Sequence, residues 1–192
     1  MKLVLASNNK NKLREFKEFL DPVGFDETSQ GEEGISIDPD ETGTTYEENS
    51  LIKAKALYDM VNCPVVADDS GLEVDALGGE PGVYSARYGG PDVDDIDRCY
   101  IVIDKLKGVP DEKRTARFVA VITYIDEHGE VHQFRGTMEG RIGYERLGEH
   151  GFGYDPIFMV GDKSTAENEP DEKNAISHRG NALRMLKEYL DN

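Results

Sequence analysis

The chain has 192 residues, a length that favours one domain and buries roughly 70% of its unfolded surface without needing a disulfide or a metal. Apolar residues make up 38% and charged residues 32%, as in a soluble globular chain, and no run approaches the ~18 consecutive apolar residues of a membrane helix. Twenty-two basic residues against 39 acidic ones give a net charge of −17, a field that excludes duplex nucleic acid and anionic membrane as partners. It would also repel a phosphorylated ligand unless divalent cations or well-placed lysines offset it. The opening Met1-Lys2-Leu3-Val4-Leu5-Ala6 is too short an apolar run for a signal peptide. Cys63 and Cys99 lack metal-ligand spacing and read as reduced packing residues. Both features predict a cytoplasmic protein.

Residues 2–6 read as a short buried strand. A helix follows from about Asn9, with Leu13, Phe16, Phe19 and Leu20 at helical spacing and Asp21-Pro22 as its stop. Residues 26–43 read mostly as loop. Thr45 and Glu48 form a capping-box signal, and Leu51, Ala54, Tyr58 and Val61 define a second amphipathic helix. Val65-Val66-Ala67 reads as a buried strand ending at Asp68-Asp69-Ser70-Gly71. Leu72, Val74 and Ala76 then alternate as in a half-buried strand, and residues 78–90 form a Gly-rich loop. Ile96, Cys99, Ile103 and Leu106 mark a third helix. Residues 115–125 are the strongest strand signal, and Asp126-Glu127-His128-Gly129 turns them into a strand near 130–136. The last helix starts near Arg179, with Ala182, Leu183, Leu186, Tyr189 and Leu190 on one face. Strands alternating with helices around a hairpin predict an α/β fold with a mixed sheet.

Five segments could carry chemistry. Ser7-Asn8-Asn9-Lys10-Asn11-Lys12 lies between a strand and a helix, where backbone N–H groups, the helix dipole and two ammonium groups suit a phosphate. It lacks the Walker A pattern, and it reads equally as a plain N-cap by Ser7 or Asn8. Asp68 and Asp69 follow a buried strand. They read either as a site for a hard cation at the strand's carboxyl end or as an Asx-turn. The acidic stretch around Asp38, Asp40 and Glu41, with Lys53 on the second helix, could complete such a site or simply be solvated. Gly151 to Pro156 offers close backbone approach, with Phe152 and Tyr154 as ring faces, or a tight turn with two core aromatics. Lys173, His178 and Arg179 put basic groups just before or at the start of the last helix, against the dipole preference, where they read either as partners of an anionic or carbonyl-bearing ligand or as a surface Arg beside a His on a cap.

Taken in order, Ser7-Asn8-Asn9-Lys10-Asn11-Lys12, Ala67-Asp68-Asp69-Ser70-Gly71-Leu72, Leu77-Gly78-Gly79-Glu80-Pro81-Gly82-Val83-Tyr84-Ser85-Ala86-Arg87-Tyr88, Gly151-Phe152-Gly153-Tyr154-Asp155-Pro156-Ile157-Phe158 and Ile176-Ser177-His178-Arg179-Gly180 closely resemble the Ham1-like family. These are the inosine/xanthosine triphosphate pyrophosphatases. The resemblance runs from Lys2 to Leu190. It implies a single domain of two lobes, spanning 1–192, around a long mixed β-sheet with flanking helices and a nucleotide cleft between the lobes, usually as a homodimer. It implies hydrolysis of dITP, ITP and XTP to the monophosphate and pyrophosphate with Mg²⁺. By resemblance, Ser7, Asn8, Asn9, Lys10, Asn11 and Lys12 bind the triphosphate and Lys53 reaches phosphate. Glu41 or Asp40, together with Asp69, holds metal, and Asp69 is the proton acceptor. Ser70, Phe152, Gly153, Tyr154, Asp155, Lys173, His178 and Arg179 line the nucleotide site. Asp68 is expected to assist Asp69, and Lys12 to stabilise the leaving pyrophosphate. Donors such as Arg179 or His178 would accept the 6-oxo group of hypoxanthine or xanthine and disfavour adenine. The family often has Thr at the position of Ser7; the hydroxyl is retained. A Maf-like pyrophosphatase would show a Ser-x-Ser-Pro-Arg type of start, which Ser7-Asn8-Asn9-Lys10 does not match, and a regulator that only binds nucleotide would not need two adjacent carboxylates.

Overall fold

A computed structural model describes residues 2–191. The strands, in chain order, are β1 (Lys2–Leu5), β2 (Asp26–Ser29), β3 (Val65–Val74), β4 (Thr115–Ile125), β5 (Val131–Ile142), β6 (Phe158–Val160) and β7 (Lys163–Ser164). The helices are α1 (Lys10–Leu20), α2 (Tyr46–Val61), α3 (Asp95–Lys105), α4 (Pro170–Ile176) and α5 (His178–Leu190). The strands form one seven-stranded sheet in the order β2-β1-β3-β4-β5-β6-β7. It is mixed: β1 pairs in parallel with β2 and β3, while β6 pairs antiparallel with β5 and β7. None of the described helices is long and apolar enough to cross a membrane.

The chain divides into two compact units. The first comprises Met1–Asp69, Ala120–Gly136 and Arg179–Asn192. Its cores follow from strand periodicity, because successive side chains point to opposite faces. Leu3, Leu5, Val66, Ile122 and Tyr124 join Phe16 and Leu20 of α1 and Ala182, Leu183 and Leu186 of α5 in one apolar cluster. Val4, Val65, Ala67 and Ile125 join Ala54 and Leu57 of α2 in another. Helix α1 starts where Asn9 Oδ1 accepts the Asn11 and Lys12 N–H groups. Helix α2 starts at the Thr45–Glu48 capping box and stops at Asn62, whose φ of 50° ends the helical run.

The second unit comprises Ser70–Val119 and Thr137–His178. Its core gathers Leu72 and Val74 of β3, Cys99 and Val102 of α3, Leu106, Phe118, Met138, Ile142, Tyr154, Ile157 and Phe158. Beside it lies Arg114, only 1% exposed. Its guanidinium donates to the carbonyls of Ile142 (2.9 Å), Leu106 (2.9 Å) and Gly143 (2.7 Å) and lies 4.2 Å from the Tyr144 ring centre. A buried cation thus ties together the end of α3, the start of β4 and the end of β5.

Several expectations change. Asp26–Ser29, read as loop, is the edge strand β2; Asp-Glu-Thr-Ser carries no apolar alternation because one flank has no neighbouring strand. The two strands read at 65–67 and 72–76 are one continuous β3, so Asp68-Asp69 lies inside a strand, neither at its carboxyl end nor in an Asx-turn. β5 runs to Ile142 rather than stopping near 136, and the short elements β6, β7 and α4 had no sequence signal long enough to announce them. Ile96 is 46% exposed, so α3 packs through Cys99 and Val102 instead.

Candidate active site

In the first unit the alternation that builds the two cores also separates the two aspartates. Asp68 shares the face of Val66, toward α1 and α5, and Asp69 shares the face of Val65 and Ala67, toward α2. The two adjacent carboxylates therefore do not compete for one cation. Each has its own.

Asp68 is 4% exposed and sits in a chain of alternating charge. Its Oδ1 meets Lys12 Nζ of α1 at 3.0 Å. Its Oδ2 accepts Arg179 Nε and Nη2 at 3.2 and 3.1 Å. The third guanidinium nitrogen, Nη1, donates to Glu15 Oε2. Burial pushes the Asp68 carboxyl up, but Lys12, Arg179 and Lys53 outweigh it and hold the group well below the ordinary carboxylate range. Arg179 loses by burial and gains more from Asp68 and Glu15, so it is held above its usual value. Lys12 is pulled down by burial, against Asp68, with Arg179 and Lys53 adding to the fall.

Asp69 has a different environment. Its Oδ1 accepts Lys53 Nζ at 3.0 Å, and the same Nζ lies 3.1 Å from Glu41 Oε1. Its Oδ2 is buried and makes no hydrogen bond among the described residues. Burial raises the Asp69 carboxyl, Lys53 opposes this, and Glu41 and Asp68 add to the rise. Lys53, penalised by burial, is nevertheless held high by Asp69, Asp68 and Glu41. The surroundings of the two adjacent aspartates thus push their carboxyls in opposite directions.

A cavity of about 390 Å³ opens beside these groups, lined by Ser7, Asn8, Asn9, Lys12, Lys53 and Asp68 together with Gln30, Ser36, Ile37, Asp38 and Pro39. Two ammonium groups and the amino end of α1 meet there, which suits an anion. The cap of α1 is Asn9 rather than Ser7 or Asn8; Ser7 Oγ instead accepts the Asn9 N–H at 3.1 Å. Asn9 occupies the Asn11 and Lys12 N–H groups, so part of the anion-binding capacity of the helix end is used by the chain itself. Lys10 is exposed and Asn11 half-buried.

The buried Asp69 Oδ2 and the Glu41 carboxylate beside the same lysine are hard oxygen donors of the kind a divalent cation of the Mg²⁺ class requires, so the residues fit such an ion. Asp40, the alternative to Glu41, is exposed, and what it contributes locally is its backbone carbonyl, which accepts the Thr42 N–H at 3.0 Å.

The second unit holds the remaining expected residues. Asp155 is 2% exposed and accepts the Phe152 N–H at 2.9 Å, Lys173 Nζ at 2.7 Å and the Thr165 hydroxyl at 2.9 Å. Lys173 Nζ also lies 4.8 Å from the Phe152 ring centre. Tyr154 is a core residue whose hydroxyl donates to the Ser85 carbonyl at 2.7 Å. Its backbone neighbour Gly153 is held through its N–H by Asp95 Oδ2 at 3.2 Å. The His178 ring stacks on Phe118 with centroids 4.9 Å apart. Ser70, half-buried, follows Asp69 on β3.

The sequence reading missed Glu15 and, of the Gln30 to Pro39 wall, everything but Asp38. Glu15 had a signal: an acid on the apolar face of α1, next to Phe16 and three residues after Lys12, so that it lies one turn along from that lysine. The wall had none beyond its turn glycines. A Cβ at Gly31 would come within 2.6 Å of Asn8 Oδ1, so glycine is what lets that wall approach the phosphate-ready segment.

Residues 3–189 match the sequence profile of the Ham1 family. The chain is 48% identical over 190 residues to a dITP/XTP pyrophosphatase of Bacillus subtilis, covering 98% of this chain and 96% of the relative. It is 48% identical over 188 residues to a dITP/XTP pyrophosphatase of an Exiguobacterium species, covering 97% and 95%. Among solved structures it superposes on the Staphylococcus aureus Ham1 protein with a TM-score of 0.90 at 41% identity, over 100% of this chain and 98% of the other. A HAM1 protein from Coxiella burnetii gives 0.91 at 41% identity over the same shares. A family match over nearly the whole length, joined to full-length likeness in sequence and in fold, means that the chain belongs to the Ham1 family.

Proposed function

We propose that this protein hydrolyses dITP, ITP and XTP, non-standard purine nucleoside triphosphates, to the monophosphate and pyrophosphate. The observation that carries the reading is Asp69: a buried carboxylate with one oxygen held by Lys53, itself a wall of the anion-suited cavity, and the other without a hydrogen bond among the described residues. The full-length relatives named dITP/XTP pyrophosphatases support the substrate class. Glu41 and Asp69 would hold Mg²⁺, which when bound supplies positive charge against phosphate oxygens and makes water more acidic.

The chain's own residues divide the remaining work. The Asp69 carboxylate accepts the proton of a water attacking the α-phosphorus. The new P–O bond forms as the bond from the α-phosphorus to the bridging oxygen breaks, and the electron pair leaves on pyrophosphate. Lys12 and Lys53 oppose the charge that builds on the leaving group. Asp68 does not touch the reacting atoms; it is a positioning residue that holds Lys12. Arg179 is committed through all three guanidinium nitrogens to Asp68 and Glu15, so it serves the same frame. Reading of the purine 6-oxo group is assigned to His178 of the second unit, in the segment that also carries Lys173. We further assign the protein to the cytoplasm as a homodimer, which sedimentation of the purified chain tests directly.

The deciding experiment measures pyrophosphate release from ITP, XTP, GTP and ATP, with and without Mg²⁺. Rapid Mg²⁺-dependent release from ITP and XTP, with ATP poorly used, is expected. Release of orthophosphate instead, or equal use of ATP and ITP, overturns the reading.

A further inference from the structure

We propose that the β4–β5 hairpin carries a separate transition-metal site, of the zinc class, formed by Asp126, Glu130 and His132. These three residues offer one ligand atom each within 4.8 Å of one another, and they are the one such group of three among the described residues. All lie in the first unit, Asp126 and Glu130 in the turn between β4 and β5 and His132 near the start of β5.

The geometry is that of ligands set for an ion rather than of a finished hydrogen bond. His132 Nε2 and Asp126 Oδ2 are 3.4 Å apart, long for a hydrogen bond between such groups. Two donors each about 2.1 Å from a tetrahedral zinc stand about 3.4 Å from one another. The observed separation is that edge. Asp126 is also oriented as a ligand would be. Its other oxygen, Oδ1, accepts the His128 and Glu130 N–H groups at 2.8 and 2.9 Å, which fixes the carboxylate plane and turns Oδ2 toward the imidazole. The His132 ring packs in turn against Tyr189 and Tyr124, with centroids at 4.4 and 6.1 Å. Glu130 is exposed, so its carboxylate can close on an ion without disturbing packing. Imidazole with carboxylates is a donor set that suits zinc, whereas the all-oxygen set of Glu41 and Asp69 suits magnesium.

One contact must yield. The Tyr189 hydroxyl near the end of α5 lies 3.0 Å from the same Nε2. Metal and Tyr189 therefore compete for one nitrogen, so that zinc would displace the Tyr189 hydroxyl from the imidazole.

The test is calorimetric titration of the full chain with Zn²⁺ in excess Mg²⁺, on wild type and on Glu130→Gln, His132→Gln, Tyr189→Phe and Asp69→Asn. One zinc per chain is expected, retained in Asp69→Asn, weakened at least about tenfold in both Glu130→Gln and His132→Gln, and unchanged or tighter in Tyr189→Phe. Exposed Glu130 keeps the test independent of any folding defect at His132. No zinc uptake by wild type, uptake unaffected by Glu130→Gln and His132→Gln, or uptake lost in Asp69→Asn would each overturn the proposal.

Discussion

Glu15 offers the sharpest test of how the site is held. It is 4% exposed and its partner Arg179 1% exposed, so Glu15→Ala leaves a guanidinium N–H in the interior without its acceptor. Removing one partner of a buried ion pair costs about 3–5 kcal/mol. Here Asp68 still engages Nε and Nη2, which places the loss at the lower end, about 3 kcal/mol. With a urea dependence of about 3 kcal/mol/M, the unfolding midpoint moves down by about 1 M. A domain with a stability of about 5–15 kcal/mol remains folded at 25 °C. Glu15→Gln keeps an acceptor and loses only the charge, so its cost is smaller, about 1–2 kcal/mol.

Function should follow through the frame, not through contact with substrate. With Glu15 gone, Arg179 is less fixed, Asp68 loses its anchor and Lys12 its orientation. Turnover of ITP is expected to fall about tenfold, equivalent to about 1.4 kcal/mol, with Gln closer to wild type than Ala. A double-mutant cycle with Asp68→Asn then reads the coupling, expected above about 0.5 kcal/mol because both carboxylates share one guanidinium. If Glu15→Ala unfolds within about 0.5 kcal/mol of wild type, or the two losses add independently, the charge chain does not hold the site.

Four other outcomes follow. Asp69→Asn should reduce kcat by about 10²- to 10⁴-fold as its base is lost. Yet in the absence of divalent ions it should be more stable than wild type near neutral pH: a carboxyl whose folded pKa is raised stabilises below its unfolded value and loses that contribution as pH rises through the folded one, a loss the amide does not suffer. Asp68 runs the other way. Its depressed pKa contributes stability above the ordinary carboxylate range, so Asp68→Asn should be destabilised at neutral pH, and the gap to wild type should close only in strong acid. Arg114→Ala removes the guanidinium donor to the carbonyls of Leu106, Ile142 and Gly143, of which Leu106 keeps the Val109 N–H, and should cost about 3 kcal/mol, read by urea denaturation, with the ITP/ATP preference intact. Gly31→Ala pushes the exposed Asn8 side chain aside, which should raise KM for ITP several-fold with little change in melting temperature.

What the sequence made legible and what it did not have one physical boundary. Elements with their own local signal were readable: the Thr45–Glu48 box before α2, the Asp21-Pro22 stop after α1, and the apolar run of β4. Elements that exist because of neighbours were not. β2 is held by backbone pairing to β1, and its Asp-Glu-Thr-Ser sequence states no preference. Asp68-Asp69 looked like a strand end because carboxylates are unfavourable inside a strand. Only Lys12, Arg179 and Lys53, drawn from three different helices, make the continuous β3 tolerable there. The motif pattern marked the residues expected at a nucleotide site, but not the neighbours that hold them. Tyr154 is a packing residue with its hydroxyl on Ser85, and Arg179 faces carboxylates where a base-reading donor was expected.

The charges of the site explain why an acidic protein can still address a triphosphate. In the first unit Glu15, Asp68, Asp69 and Glu41 face Lys12, Lys53 and Arg179, four carboxylates against three cations. Arg179 and Lys12 share Asp68, and Arg179 also serves Glu15; Lys53 alone spans Asp69 and Glu41. The shortfall thus falls on the α2 face of β3, and the Asp69 oxygen without a hydrogen bond is where it is left. Without an added cation this group of seven side chains would carry net negative charge inside a molecule of net charge −17, a field that opposes binding of a triphosphate. One divalent ion on that face reverses the local sign and leaves Lys12 and Lys53 available to phosphate. On the proposed function, the charge deficit at Asp69 would make room for an ion through the alternation of a single strand: shifting β3 by one residue would exchange the two aspartates and give the deficit to the face that has Arg179 to fill it.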